Sequence, residues 1–77
     1  MTTVRISLNS IDKVKSFVND LSKFEDDFDL VSGRYVIDAK SIMGIFSLDL
    51  SKPIDLTIHA EDGVPEILET LAPYIVK

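Results

Sequence analysis

The chain has 77 residues, 45% of them hydrophobic and 27% charged, which is the composition of one small globular domain, 1–77, rather than of a disordered segment. Its net charge of −5 opposes binding to the phosphates of nucleic acid or to anionic membranes. The absence of cysteine excludes disulfides and thiolate metal clusters, and no apolar run is long enough for a secretory signal or a membrane span, so we expect a cytoplasmic protein.

A strand and a helix are predicted first. Residues 3–8 alternate between polar and apolar side chains, which is typical of a half-buried strand. Asn9 or Ser10 can then cap a helix, and Asp12 suits the positive end of its dipole. Residues 10–24 carry apolar side chains at helical spacing, so we predict an amphipathic helix there. Its buried stripe would consist of Ile11, Val14, Phe17, Val18, Leu21 and Phe24.

A β-hairpin is predicted next. Phe28 and Leu30 alternate with Asp27, Asp29 and Val31, and residues 35–37 have strong β propensity. The pair Ser32-Gly33 between them is a turn signal, so the two segments are expected to pair as antiparallel strands.

A short second helix follows the hairpin, and Ser41 can cap it. A helix of about two turns cannot bury every side chain, so part of its apolar surface should be exposed. We expect Ile42 and Ile45 to face the core and Met43 and Phe46 to reach the surface.

A fourth strand and a last helix complete the chain. Pro53 interrupts the sequence before residues 54–60, where every second residue is apolar, as in a strand. Asp62 is a plausible cap for the last helix, and Pro65 is tolerated in its first turn. Pro73 should end or kink that helix near residue 72.

The resulting order, β-α-β-β-α-β-α, predicts an α+β fold. Strands with one apolar face and amphipathic helices are expected to form a four-stranded, mainly antiparallel sheet with helices on one face only. The open face would carry Arg5, Asp29, Thr57 and His59.

Two groups of polar residues contain side chains that can bind metal ions. His59 is the only histidine and has no partner ligands nearby in the sequence, so a solvent-facing strand position explains it better. The acidic residues 25–29 lack the register of a calcium-binding EF-hand loop and fit a charged connection between helix and strand. We therefore expect neither a metal nor a cofactor.

The segment Lys40-Ser41-Ile42-Met43-Gly44, followed by Ser47-Leu48, resembles the HPr family of the bacterial sugar phosphotransferase system. That family carries a Lys-Ser-Ile-Met-Gly segment at the start of its short second helix. The similarity extends to the element order, the strand at 54–60 and the Leu68-Glu69-Thr70-Leu71 portion of the last helix. It implies an HPr-like open-faced β-sandwich, in agreement with the fold predicted from alternation.

The head of the first helix departs from the family pattern. Family members have a histidine there, within a His-x-Arg-Pro stretch, which accepts a phosphoryl group stabilised by the helix N-terminus and the arginine. This chain has Asn9-Ser10-Ile11-Asp12-Lys13 instead. An unactivated serine hydroxyl is a poor nucleophile near neutral pH, and Asp12 would repel a phosphate. We therefore expect a divergent member without the active-site histidine, and no catalytic residue.

The resemblance then implies a function through protein contact, in the phosphotransferase system or in carbon-catabolite regulation. In the family, the positions that match Ile42, Met43 and Phe46 form a docking surface for partner proteins, and methionine adapts to varied surfaces. The serine that matches Ser41 is phosphorylated by a dedicated kinase in many members, and Lys40 could supply a counter-charge. The implied partners are phosphotransferase enzymes, an HPr kinase or a transcriptional regulator.

Two alternatives stay open. The protein could be a phosphocarrier that uses His59, in which case its phosphorylation would be acid-labile and lost when His59 is replaced. It could also be an HPr-derived structural or assembly module, which the identity of its partners in native cytoplasm would reveal. No residues support a hydrolase or an oxidoreductase.

Overall fold

The computed structural model of the chain describes residues 1–76. The order of its elements is the one that the sequence predicts, with a 3-10 turn added at the end. The strands are β1 (Thr2–Ile6), β2 (Asp27–Ser32), β3 (Tyr35–Asp38) and β4 (Ile54–His59). The helices are α1 (Ile11–Leu21), α2 (Ile42–Phe46) and α3 (Val64–Leu71), and the 3-10 turn is Ala72–Tyr74.

The strands form one antiparallel sheet in the order β1-β4-β2-β3. The central strand β4 directs Ile54, Leu56 and Ile58 into the core, and all three are buried. Burying one such side chain contributes about 1.5–3 kcal/mol, so this strand anchors the fold. The α+β fold with an open sheet face is therefore confirmed.

The three helices supply the other half of the core. Their buried side chains recur at helical spacing, which gives each helix one apolar side against the sheet. These residues are Val14, Phe17 and Leu21 of α1, Ile45 of α2, and Ile67 and Leu71 of α3. The opposite sheet face is polar and holds the four residues expected there, Arg5, Asp29, Thr57 and His59.

The first strand and the first helix are shorter than expected. The ladder between β1 and β4 stops at Ile6, which faces Ile54, the first residue of β4. Leu8 is nevertheless fully buried. Helix α1 ends at Leu21 rather than at Phe24, because the amide of Phe24 donates to the Leu21 carbonyl in a tighter turn. Phe24 still packs against the core.

The predicted cap of the last helix was wrong. Gly63, not Asp62, occupies the N-cap position, and its φ of 74° is a left-handed conformation that glycine adopts without a steric penalty. Pro65 lies in the first turn, as expected. The helix ends at Leu71, and Pro73 lies in the 3-10 turn that follows, so the predicted break near residue 72 is confirmed.

The segment after the 3-10 turn returns along the free edge of β1. The amide of Ser7 donates to the Tyr74 carbonyl at 2.8 Å, and the amide of Val76 donates to the Arg5 carbonyl at 2.9 Å. Ile6 and Ile75 form an antiparallel bridge between these bonds. The later half of β1 is therefore covered. Within residues 1–76, no helix is long and apolar enough to cross a membrane.

Candidate functional site

Ser10 begins α1 and supplies its cap. The Ser10 Oγ accepts a hydrogen bond from the Lys13 amide at 3.1 Å, so of the two predicted caps the serine is used. Ile11 follows with 62% of its surface exposed, and Asp12 is exposed in the first turn. The expected burial of Ile11 was wrong. The helix head thus presents an apolar side chain and a carboxylate, while the single histidine lies at position 59.

Ser41 begins α2 in the same manner. Its Oγ accepts a hydrogen bond from the Gly44 amide at 3.3 Å, and the residue is exposed. A Cβ on Gly44 would lie 3.2 Å from the Ser41 Oγ and 3.3 Å from the Cδ1 of Ile37. Glycine at position 44 therefore leaves room for this cap.

The short helix α2 divides its apolar side chains between the core and the solvent. Ile45 is fully buried, and Ile42 is half-buried against the core. Met43 is 77% exposed and Phe46 is 41% exposed. Covering exposed apolar side chains with a partner removes them from water, which is favourable, so such side chains mark a candidate contact surface.

Ile11 and Phe46 line the same groove, which lies between the head of α1 and the end of α2. The groove has a volume of about 460 Å³. It is lined by Asn9, Ser10, Ile11, Phe46, Leu50 and Ser51. We call the set Ile11, Ile42, Met43 and Phe46 the apolar patch. Sequence reasoning missed Ile11, because its spacing to Val14 fits the buried stripe and only its place directly after the cap sets it apart.

A short acidic turn lies beside the groove. The side chain of Asp49 accepts hydrogen bonds from the Ser51 hydroxyl at 2.6 Å and from the Ser51 amide at 3.1 Å. These bonds, first the one from the hydroxyl, hold the pKa of Asp49 below its usual value. Asp49 is consequently an anion at neutral pH next to a groove-lining residue.

Lys40 does not point to its neighbour in the sequence. Its Nζ donates to the Phe24 carbonyl at 2.7 Å and lies 5.5 Å from the centre of the Phe28 ring. The backbone amide of Lys40 donates to Asp38 Oδ1 at 2.9 Å. The ammonium group thus donates to the segment that follows α1. It does not lie beside Ser41, where it was expected as a counter-charge.

His59 lies on the open sheet face, at the end of β4. Its Nε2 is 2.8 Å from Asp29 Oδ2, and both side chains are more than one-third exposed. Asp27 and Asp38 line the same shallow depression. The acidic residues Asp27 and Asp29 belong to β2, so the predicted charged loop is partly a strand. The structure therefore separates His59 from the apolar patch.

The hydroxyl and the apolar side chains around the patch differ in what they would need to act. The Ser10 hydroxyl accepts a bond from a backbone amide and has no hydrogen bond to a base among the described residues. A serine attacks a phosphoryl donor efficiently only when a base takes its proton. The exposed apolar residues, in contrast, need nothing further to contact another protein.

Comparison with known proteins identifies the family. The family model "PTS HPr component phosphorylation site" matches residues 13–76, a segment that begins just after Asp12. A search among curated proteins finds no significant match.

Solved structures agree with the family match. HPr-C-His from Thermoanaerobacter tengcongensis is similar over 95% of this chain and 89% of its own, with 28% identity and a TM-score of 0.77. The phosphocarrier protein HPr from Bacillus anthracis matches over 97% and 94%, with 30% identity and a TM-score of 0.71. The catabolite repression protein Crh of Bacillus subtilis matches over 90% and 79%, with 31% identity and a TM-score of 0.64. The family match, the β-α-β-β-α-β-α sheet topology and the Lys40–Gly44 segment at α2 together show that the chain belongs to the HPr family of the phosphotransferase system.

Proposed function

We propose that this protein is a non-enzymatic member of the HPr family that acts by protein contact, in the phosphotransferase system or in carbon-catabolite regulation. The observation that carries the proposal is the apolar patch, which lies beside a helix head that has no histidine. Exposed apolar side chains offer a surface to partners, and the head of α1 carries no histidine that could make the protein a carrier. We expect it to act in the cytoplasm, where such partners are found.

The chemistry at the head of α1 supports the absence of phosphoryl transfer. Ser10, Ile11 and Asp12 lie at the head of α1, where the resemblance to the family would put the nucleophile. The Asp12 carboxylate is exposed and would repel an incoming phosphoryl group, since like charges a few ångströms apart disfavour each other. The divergent family member thus has no replacement for the lost imidazole at this site.

A regulatory relative is among the similar structures. Crh, which is named for catabolite repression, has 31% identity to this chain against 30% for the Bacillus anthracis phosphocarrier, with a lower TM-score of 0.64 against 0.71. Phosphotransferase enzymes, an HPr kinase and a transcriptional regulator are the partners we propose. Ile42, Met43 and Phe46 would make the contact, and Ile11 extends the surface across the groove.

Ser41 is the proposed site of regulatory phosphorylation. It is exposed, it caps α2, and Met43 lies two residues further along the same short helix. A phosphate there would place about −1.5 to −2 charge at the rim of the patch. The modification would therefore alter which partners the patch accepts without requiring a change of fold.

The alternative of a carrier that uses His59 is weaker on electrostatic grounds. The Nε2 of His59 already contacts Asp29, and Asp27 and Asp38 lie in the same depression. Three carboxylates oppose the approach of a phosphorylated donor. The geometry consequently favours a surface polar interaction for His59.

The decisive experiment offers the protein labelled phosphoenolpyruvate and the general phosphotransferase enzyme, with the Bacillus anthracis HPr as the positive control. We expect label on the control only. Acid-labile label on the wild type that disappears in His59→Gln would overturn the proposal in favour of the His59 carrier. Binding is tested in parallel by capture from native cytoplasm on wild type and on Phe46→Ala. Patch-dependent recovery of phosphotransferase or catabolite-regulation proteins supports the proposal, and recovery of an unrelated complex supports an assembly module instead.

A further inference from the structure

The two edge strands of the sheet, β1 and β3, differ in how far their backbone is covered. The later half of β1 is covered, because the amides of Ser7 and Val76 bond to the returning chain and to β1 itself. The strand β3 is the last in the order β1-β4-β2-β3, and no further strand pairs with it among residues 1–76. An edge strand presents a row of backbone donors and acceptors that can pair with another chain.

The exposed edge lacks two of the usual protections. Tyr35 is 68% exposed and Val36 is 63% exposed, and the four residues of β3 include neither a proline nor a lysine. Natural proteins commonly block an open edge with one of these residues or with a bulge. The edge therefore combines apolar surface with a backbone edge that no described strand pairs, although the Asp38 carbonyl already accepts a hydrogen bond from the Ser41 amide at 3.0 Å.

We propose that β3 pairs with β3 of a second copy of this chain, antiparallel and about a two-fold axis perpendicular to the sheet. The two four-stranded sheets then become one, with the helices of both copies on the same side. In such an isologous interface every contact between two different residues occurs twice, so the contribution of each favourable pair is doubled. The interface does not use the apolar patch and does not depend on the proposed function.

The charge pattern of the edge selects one alignment. In an antiparallel ladder, two residues that face each other either both direct their N–H and C=O groups into the interface or both direct them away from it. A residue of β3 can therefore face only those residues of the other copy whose numbers differ from its own by zero or by an even number. When Val36 faces Val36, Arg34 faces Asp38 of the other copy. The next allowed alignment on either side, shifted by two residues, places Arg34 opposite Lys40 or opposite Val36 of the other copy. The alignment centred on Val36 alone pairs opposite charges.

The same alignment also pairs the apolar side chains. Tyr35 of one copy faces Ile37 of the other, and aromatic residues opposite β-branched ones are favourable cross-strand pairs. Arg34, Val36 and Asp38 alternate with Tyr35 and Ile37, so the charged pairs and the Val36 pair lie on one side of the joined sheet and the Tyr35–Ile37 pairs lie on the other. The short strand and the net charge of −5 on each copy limit the affinity, so we expect a weak, concentration-dependent dimer.

Sedimentation equilibrium from micromolar to millimolar protein tests the proposal. Arg34→Asp turns both attractive pairs into repulsive ones and should weaken the dimer by about tenfold. The matched control is Lys15→Asp, which makes the same change of charge at an exposed position of α1 and should have a smaller effect. The double variant Arg34→Asp, Asp38→Arg should recover most of the affinity. A wild type that stays monomeric throughout, or equal effects of the two single variants, overturns the proposal.

A crosslinking experiment locates the two-fold axis even if the double variant folds poorly, since Asp38 also holds the Lys40 amide. The chain has no cysteine, so Val36→Cys introduces a single thiol at the axis, and Tyr35→Cys is an equally exposed neighbour that faces Ile37 instead. Facing Cβ atoms in a sheet are about 4.5–5.5 Å apart, close to what a disulfide needs. Under mild oxidation Val36→Cys should form the covalent dimer faster. Equal or faster crosslinking of Tyr35→Cys contradicts the alignment, and so does a dimer formed by exchange of another strand.

Discussion

Tyr74 donates its hydroxyl to Asp20 Oδ2 across 2.9 Å, which fastens the 3-10 turn at the end of the chain to the exposed side of α1. The Tyr74 ring also meets Phe17 edge to face, with 5.4 Å between the ring centres. Burial, and after it the hydrogen bond to Asp20, raises the pKa of Tyr74 to about 12 from its usual 10. The neutral phenol is therefore the form that the fold stabilises.

Tyr74→Phe should destabilise the protein by about 1 kcal/mol near neutral pH, because it removes one hydrogen bond and keeps the ring. The wild-type advantage should be fully present below pH 10. Between pH 10 and about 12 the unfolded chain loses the phenolic proton while the folded chain retains it, so the advantage shrinks as the pH rises. Urea unfolding of both proteins across this range measures the difference. An advantage that stays constant up to pH 12 would contradict the assignment.

Lys40→Met should lower the free energy of unfolding by about 1.5–3 kcal/mol, the range for a hydrogen bond to a charged group. The half-buried ammonium contacts the Phe24 carbonyl and the Phe28 ring, and methionine keeps the length of the side chain but not the donor. Lys23→Met is the matched control, because Lys23 is mostly exposed and its ion pair with Asp20 spans 3.7 Å. The control should change stability by less than about 1 kcal/mol. Chemical denaturation of the two variants decides the question.

Phe46→Ala should weaken the capture of a partner while changing the melting temperature little. An exposed aromatic residue at the centre of an interface commonly contributes 2 kcal/mol or more of binding, on the order of a thirtyfold change in affinity. Met43→Ala should have a smaller effect in the same direction, since Met43 is more exposed and lies outside the groove. Ile45→Ala is the contrasting variant, because Ile45 is buried and its loss should cost about 2–5 kcal/mol of stability. Unfolding of the domain by Phe46→Ala would place Phe46 in the core.

Phosphoserine at position 41 should leave the melting temperature unchanged or slightly raised. Ser41 is exposed, and its Oγ already accepts a hydrogen bond from the Gly44 amide. Added negative charge would therefore lie next to a hydrogen-bond donor at the helix N-terminus and would not be buried. The Asp38 carboxylate lies three residues away, and Lys40 is engaged elsewhere, so the stabilisation should be small. Semi-synthetic phosphoprotein compared with the unmodified chain and with Ser41→Ala provides the measurement. A clear drop in melting temperature would show that phosphate does not fit the cap.

Most of the fold follows from local patterns in the sequence. The alternation at residues 54–60 and the helical spacing after Ser10 predicted a central strand and a helix, because each pattern permits only one side of the element to be buried. The ends of elements were less predictable. The end of β1 depends on where β4 begins, at Ile54, which belongs to a distant part of the sequence.

The candidate site was predicted on α2 and missed on α1. Met43 and Phe46 are exposed as expected, since a five-residue helix can bury only one side. Ile11 has the spacing of a core residue, and only the position of the neighbouring chain decides that it reaches the surface beside Phe46. The direction of the Lys40 side chain could not be predicted either, because the Phe24 carbonyl it contacts becomes available only where α1 ends.

The bridge between Ile6 and Ile75 also bears on the order in which the protein folds. The β2–β3 hairpin joins residues close in sequence, whereas this bridge closes a loop that spans almost the whole described chain. Closing a long loop costs entropy before any contact repays it, so such pairings tend to form late. Ile75→Ala should therefore accelerate unfolding and leave the folding rate nearly unchanged, while substitutions at Leu30, in the hairpin, should slow folding.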